Sequence, residues 1–328
     1  MKVGIDISSI VYGTGVSNYT LELLRCLPSD ILIPFGYSLR RFYELKRTNL
    51  KGVSLPFPPT FMDFLWNRLH LVNVETFTGQ IDVYHSSDWT QGPSKCKKVT
   101  TIHDLSPFLF PGETDPQIVS VHSRRMKWVV AECDKIICVS NSTAEDLKRL
   151  FPATTGRIVV ISEALPSKYL VLKPHITKES NYVLAIGSRQ ARKNIDRLKK
   201  ACELLHQKLI IVGEGSDRGY VSDQDLVNYL ANASVFVYPS LYEGFGLPIL
   251  EAFNFMVPVA CSNIPSFSEV TGDAAAYFDP LSIDSIAAGI SEALTNKNKL
   301  ISAGTKQLAK FSWTKTAKET LEVYKSLI

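Results

Sequence analysis

A chain of 328 residues, 45% of them apolar, is too long for one ordinary core and long enough for two domains that each fold independently. Its net charge of +4 disfavours a generic nucleic-acid binder, and no recognition helix, zinc finger or RNA-binding sheet motif argues for one. Six cysteines, at 26, 96, 133, 138, 202 and 261, make no CxxC pair and no Cys/His ligand pattern, which points to reduced thiols in a cytoplasmic compartment. The first residues lack the layout of a signal peptide, and no apolar run approaches membrane-spanning length.

Taken in chain order, Val- and Ile-rich runs at 3–7, 31–35, 82–85, 99–102, 135–139 and 158–161 alternate with helical patterns at 17–26, 116–131 and 142–150. This alternation predicts a doubly wound parallel sheet. A linker carrying Pro166 and Pro174 spans about 164 to 180, and the pattern then restarts with strands at 182–186, 209–212, 235–238, 257–260 and 275–278. The expected organisation is therefore an α/β chain of two Rossmann-like domains, 1–165 and 166–310, facing each other across a cleft, with 311–328 as a terminal helix. Ligands of such sheets bind beyond the carboxyl ends of the strands.

The most informative segment is Glu243-Gly-Phe-Gly-Leu-Pro-Ile-Leu-Glu251, which follows the strand at 235–238. Pro248 is favoured in a first helical turn, so the unit reads as strand, glycine loop and helix, with one glutamate before the helix and one inside it. Backbone amides at 244–247 and the helix dipole favour a phosphate or an electron-rich sugar edge. Ionised glutamates only accept hydrogen bonds, which suits the vicinal hydroxyls of a hexose and a ribose.

This segment resembles the retaining glycosyltransferases of family 4, whose hallmark is two glutamates separated by seven residues ahead of a helix. The resemblance covers most of the chain and is strongest from about 182 to 277. It implies the GT-B fold and a nucleotide-diphosphate sugar as donor substrate, with no metal and no further cofactor. It also implies a front-face mechanism with retention, in which the leaving phosphate oxygen takes the acceptor proton. Glu243 then holds the donor sugar together with Phe245, Gly246 and Leu247, Glu251 holds the ribose, and the last helix crosses back to the first domain.

Other corners carry further expectations. Tyr12-Gly-Thr-Gly15 opens a helix, and its glycines allow a backbone amide close to a phosphate. A dinucleotide fingerprint is excluded, because Asn18 stands at the third glycine position and no acid follows about 20 residues on. In the family such a loop touches the donor diphosphate through a residue like Gly15 and helps seat the acceptor, here beside Tyr12. Gly187-Ser188-Arg189-Gln-Ala-Arg192-Lys193 sets three cations at a strand-to-helix corner, suited to the charge of a departing diphosphate. The family's arginine and lysine pair corresponds to Arg189 and Lys193, with Ser188 and Arg192 as further donor contacts; Arg192 is the arginine expected to turn to solvent or packing.

His103 resembles the family's histidine that contacts the donor sugar, and Asp104 is positioned to orient that ring or an acceptor hydroxyl. Ser140 closes another strand and is a candidate acceptor contact. Base recognition is expected from Gly213, Tyr220 and Val221, in a compact or remodelled pocket, because the helix and strand that most members of the resembled family place there are missing. Asp223-Gln-Asp225 resembles a metal motif of the other major glycosyltransferase fold, but it also reads as the capped start of a helix, and that reading is preferred.

Basic and aromatic residues mix at 40–47 and 57–68, an edge suited to anionic lipid headgroups at the inner face of a membrane. The expected partners are thus GDP-mannose or a UDP-hexose and a glycan or lipid-linked acceptor. A sugar phosphorylase or epimerase of the same architecture, or a non-catalytic nucleotide-sugar-binding subunit, are the competing readings.

Overall fold

The computed structural model describes every residue except 49–51, 178–180, 189 and 217. The chain forms two compact units, Met1–Glu163 with Trp313–Ile328, and Ala164–Ser312. In the first unit the strands are β1 (Val3–Asp6), β2 (Leu32–Tyr37), β3 (Val53–Leu55), β4 (Val83–Ser86), β5 (Lys97–Ile102), β6 (Lys135–Cys138) and β7 (Ile158–Val160). They form one sheet in the order β3-β2-β1-β4-β5-β6-β7, every neighbouring pair parallel. The short edge strand β3 has no counterpart among the sequence expectations; three half-buried residues beside a basic segment give too little periodicity to detect.

The second unit contains β8 (Val183–Ile186), β9 (Leu209–Val212), β10 (Val235–Tyr238), β11 (Val259–Ser262) and β12 (Ala275–Phe278), in the parallel order β12-β11-β10-β8-β9. The strand expected at 257–260 lies two residues later, because Pro258 has no N–H to give a ladder; its carbonyl instead accepts from Phe236 N at 2.9 Å. All four residues of β10 are buried, as expected for a central strand covered on both faces. A core of Val183, Val237, Ala260, Leu198, Ile286 and Ile290 joins this sheet to its helices.

Both sheets have a point where the strand order reverses, between β1 and β4 in the first unit and between β8 and β10 in the second. At such a point the loops from neighbouring strand ends diverge, leaving a crevice for a ligand. The helix Trp313–Lys325 belongs to the first unit, where Tyr324 is fully buried and its hydroxyl meets His85 Nδ1 at 2.6 Å. Thr316 Oγ1 donates to Ser162 O at 2.8 Å.

Candidate functional site

In the second unit the loop after β8 turns through a short 3-10 segment, Ala191–Lys193, and Asn194 then adopts a left-handed conformation at φ 57°. Asparagine tolerates that conformation better than most side chains. Its buried amide donates to Pro239 O at 3.0 Å and to Pro280 O at 2.7 Å, while Leu241 N donates to Arg192 O at 2.7 Å. The loops after β8 and β10 are thereby bound together at the switch point.

This bracing brings Lys193 and Arg192 onto Glu243. Lys193 Nζ lies 2.5 Å and Arg192 Nη1 3.6 Å from Glu243 Oε1, with all three side chains about 15% exposed or less. Lys193 also reaches Tyr238 Oη at 3.4 Å and lies over that ring. Burial alone would raise the pKa of Glu243, but the charges of Lys193 and then Arg192 outweigh it and hold the carboxyl below the ordinary range. The group is an ionised acceptor at neutral pH. Arg192, one of the expected donor contacts, turns inward and not to solvent: its guanidinium lies 3.6 Å from Glu243 and donates to Tyr242 O at 3.3 Å. Arg189 lies outside the described residues.

After Glu243 the chain passes through Gly246 at φ 118° into the helix Leu247–Asn254. A Cβ at 246 would crowd the Phe267 ring at 3.2 Å, so glycine is required there on two counts. Phe245 is buried, with its ring edge-on to Phe311, which leaves its backbone rather than its side chain for a ligand; Leu247 is half-buried. Glu251 sits in the second turn, 7% exposed, and burial pushes its pKa up to about 7 against the opposing effects of Lys168 and Tyr169. Lys168 itself pairs with Asp223 at 2.7 Å, and Ser222 caps the following helix by accepting from Asp225 N.

A cavity of about 340 Å³ lies beyond the β8 and β9 ends, lined among others by Gly187, Ser188, Arg197, Gly215 and Ser216. Gly213, at φ 126°, backs directly on Gly187, and a Cβ there would stand 2.2 Å from Gly187 O. That glycine serves a close backbone approach. Tyr220 is 83% exposed and Val221 is half-buried, both on the loop beyond it.

In the first unit Thr14 and Ser17 form a capping box at the start of the helix Gly15–Cys26. Nothing lies within 4 Å of a Cβ built at Gly15, and Tyr12 is exposed with Arg41 over its ring. His103 donates or accepts at Nδ1 with Glu163 Oε1, 2.7 Å away, and Tyr19 packs edge-on at 4.7 Å. Burial opposes its charged form, but Glu163, Asp88 and Asp104 outweigh burial and raise its pKa above the ordinary value.

Of the two roles expected for Asp104, the orienting of the His103 ring falls to Glu163 instead, while Asp104 Oδ1 accepts from Ser106 N at 2.7 Å as the chain turns into the next helix. Ser140 is not an exposed acceptor contact. It is 1% exposed and its Oγ accepts from Thr143 N at 3.0 Å, capping the helix Asn141–Leu150. Sequence reasoning did not single out Glu163 or Asp88, although both closely follow predicted strands, at 158–161 and 82–85.

Residues 13–166 match Glycosyltransferase Family 4, and residues 218–307 match Glycosyl transferases group 1. The chain is 34% identical over 283 residues to the O-antigen chain mannosyltransferase B of Escherichia coli, covering 75% of this chain and 74% of that protein. It is 28% identical to a serotype-specific mannosyltransferase WbdA of Escherichia coli over 71% of its own length, but spans only 34% of that protein. Similar folds include the sucrose-phosphate synthase of Thermosynechococcus elongatus, with a TM-score of 0.75 at 16% identity over 100% and 99% of the two chains. WaaG, a glycosyltransferase involved in lipopolysaccharide biosynthesis, gives 0.71 at 14% over 98% and 99%.

Proposed function

Because the chain belongs to glycosyltransferase family 4 and has its GT-B fold, we propose that it moves a hexose, mannose, from GDP-mannose to a hydroxyl of a glycan or lipid-linked acceptor, with retention. The observation that carries this reading is the convergence of Lys193 and Arg192 on Glu243 at the β8/β10 switch point. Two enclosed cations beside an ionised carboxylate match a diphosphate next to a hydroxyl-bearing sugar. The cations stabilise the charge that grows on the leaving diphosphate, Glu243 and the backbone of Phe245 and Gly246 hold the sugar, and Glu251 accepts from the ribose. The acceptor proton passes to the leaving phosphate oxygen, so no side-chain base is needed.

Mannose is favoured by the names of the similar mannosyltransferases. Among the described residues no helix is long and apolar enough to cross a membrane. Exposed Tyr43, Phe61 and Phe64 beside exposed Arg40, Arg47 and Arg68 support contact of the first unit with anionic headgroups at the cytoplasmic face, where a lipid-linked acceptor resides.

The donor assignment is tested by thermal unfolding with GDP-mannose, UDP-glucose and ADP-glucose, coupled to a transfer assay. GDP-mannose at a hundredfold excess over its Kd is expected to add roughly 2.7 kcal/mol of stability. Glu243→Ala is expected to abolish transfer while remaining folded. Stabilisation by UDP-glucose alone would overturn the donor, and unchanged turnover in Glu243→Ala would overturn the site.

A further inference from the structure

The first unit has a cavity of its own at the β1/β4 switch point. It measures about 490 Å³, within the roughly 300–1,000 Å³ range of small-ligand sites. Its walls include the aromatic side chains of Tyr12, Tyr37 and Trp89, with Pro59, and Asp88 is the one charged residue among those that line it. The same Asp88 lines a second, smaller cavity that reaches His103.

The condition of Asp88 is unusual for a half-buried carboxylate. Among the described residues no group hydrogen-bonds to it. Burial would raise its pKa, but His122, Arg125 and His103 outweigh burial and hold it below the ordinary carboxylate value. Arg125 does not satisfy it directly, because that buried guanidinium is used on Ser87 O at 3.1 Å, Thr100 Oγ1 at 2.6 Å and Thr101 O at 3.4 Å. Arg125 therefore fixes the loop that carries Asp88 and supplies a positive field, leaving the carboxylate as an open acceptor. The neighbouring hydroxyls are mostly engaged, Tyr37 Oη with Thr90 at 2.7 Å and Ser8 Oγ with Asp6 at 2.6 Å. Trp89 is held edge-on against His122, with ring centroids 5.8 Å apart.

Aromatic walls with one acceptor-only group match the chemistry of a neutral pyranose, whose C–H face packs on rings and whose hydroxyls donate. We propose that this cavity binds a neutral pyranose of the acceptor, stacked against Trp89 and Tyr12, and that Asp88 selects it by accepting a hydrogen bond from one of its hydroxyls. An acceptor with a carboxylate at that position is repelled by Asp88. The inference rests on the reading of the protein as a glycosyltransferase to a sugar hydroxyl, and it is tested without turnover so that the two can fail separately.

The full-length chain, with no donor present, is titrated with methyl α-mannopyranoside, methyl α-glucopyranoside and the corresponding uronic acids, followed by ligand-observed NMR and by tryptophan fluorescence. The neutral glycosides are expected to bind and the uronic acids to bind at least tenfold more weakly. Asp88→Asn, close to isosteric, is expected to weaken neutral glycosides about tenfold and to erase the discrimination against uronic acids. Trp89→Phe is expected to remove most of the fluorescence response while keeping the selectivity. Equal binding of neutral and acidic sugars to the parent chain, no binding of either, or Asp88→Asn behaving as the parent would overturn the proposal. Loss of donor-dependent transfer with these results intact would instead count against the donor reading.

Discussion

At the scale of single residues, the two glutamates of the signature occupy opposite electrostatic states. Glu243 is ionised by Lys193 and Arg192, whereas burial leaves Glu251 near neutrality, at a pKa of about 7. The raised pKa has a defined direction in stability. A carboxyl that titrates higher in the folded chain contributes fully below its ordinary pKa of 4.5, and that contribution is lost as pH rises through about 7. The loss amounts to about 3 kcal/mol over that interval. With Glu251 in the proposed ribose-binding role, donor binding runs the other way, because a hydroxyl donates best to the ionised group. Urea midpoints of the free protein are expected to fall between pH 5 and pH 8, while affinity for GDP-mannose rises from pH 6 to pH 8. Glu251→Gln flattens both trends, and a Glu251→Gln profile parallel to the parent's would exclude this role.

Among elements, the turns that end the strands decide which side chains meet. Gly213 and Gly15 look equivalent as loop glycines but differ in what surrounds them. A methyl at 213 meets Gly187 O at 2.2 Å in a backbone conformation that side chains avoid, whereas a methyl at 15 meets nothing within 4 Å at the start of a helix. Gly213→Ala is expected to destabilise by roughly 3 kcal/mol or more, and Gly15→Ala to stay within about 0.5 kcal/mol of the parent. Equilibrium unfolding in urea separates the two; similar losses at both positions would contradict the packing described for β8 and β9. The bridge from Asn194 to Pro239 and Pro280 has the same character, a single side chain that fixes two strand ends.

For the molecule as a whole, two separate sheets carry separate cores, and the first unit exposes several apolar side chains along residues 61–72. Leu69, Leu71 and Val72 are exposed, a few residues along the chain from exposed Phe61 and Phe64, and His70 and Val72 both have positive φ, at 54° and 63°. For a β-branched valine that conformation is a strained one, held here by Trp66 Nε1 donating to Val72 O and by His70 stacked on Trp128. Strain kept at an exposed apolar tip fits a surface that is used. Flotation with vesicles containing anionic phospholipid is expected to carry the protein at low salt, and less so after Phe61→Ser with Phe64→Ser. Equal flotation with neutral vesicles, or none at all, would remove the lipid contact from the proposed function.

The amino-acid sequence by itself determined the alternation of strands and helices, the two-sheet organisation and the position of the glutamate signature. These depend on residues close together in the chain, where period, proline and glycine act on the local backbone. Only the tertiary structure decided that Arg192 joins Lys193 on Glu243, that Glu163 rather than Asp104 holds His103, that Ser140 is a buried cap, and that Asp88 is left open. Apart from the local cap at Ser140, which bonds to Thr143 three residues on, those outcomes rest on contacts between distant parts of the chain, such as Lys193 with Glu243 across 50 residues and His103 with Glu163 across 60. Local periodicity cannot register them, because electrostatic partners are chosen by distance in space after the sheets have formed.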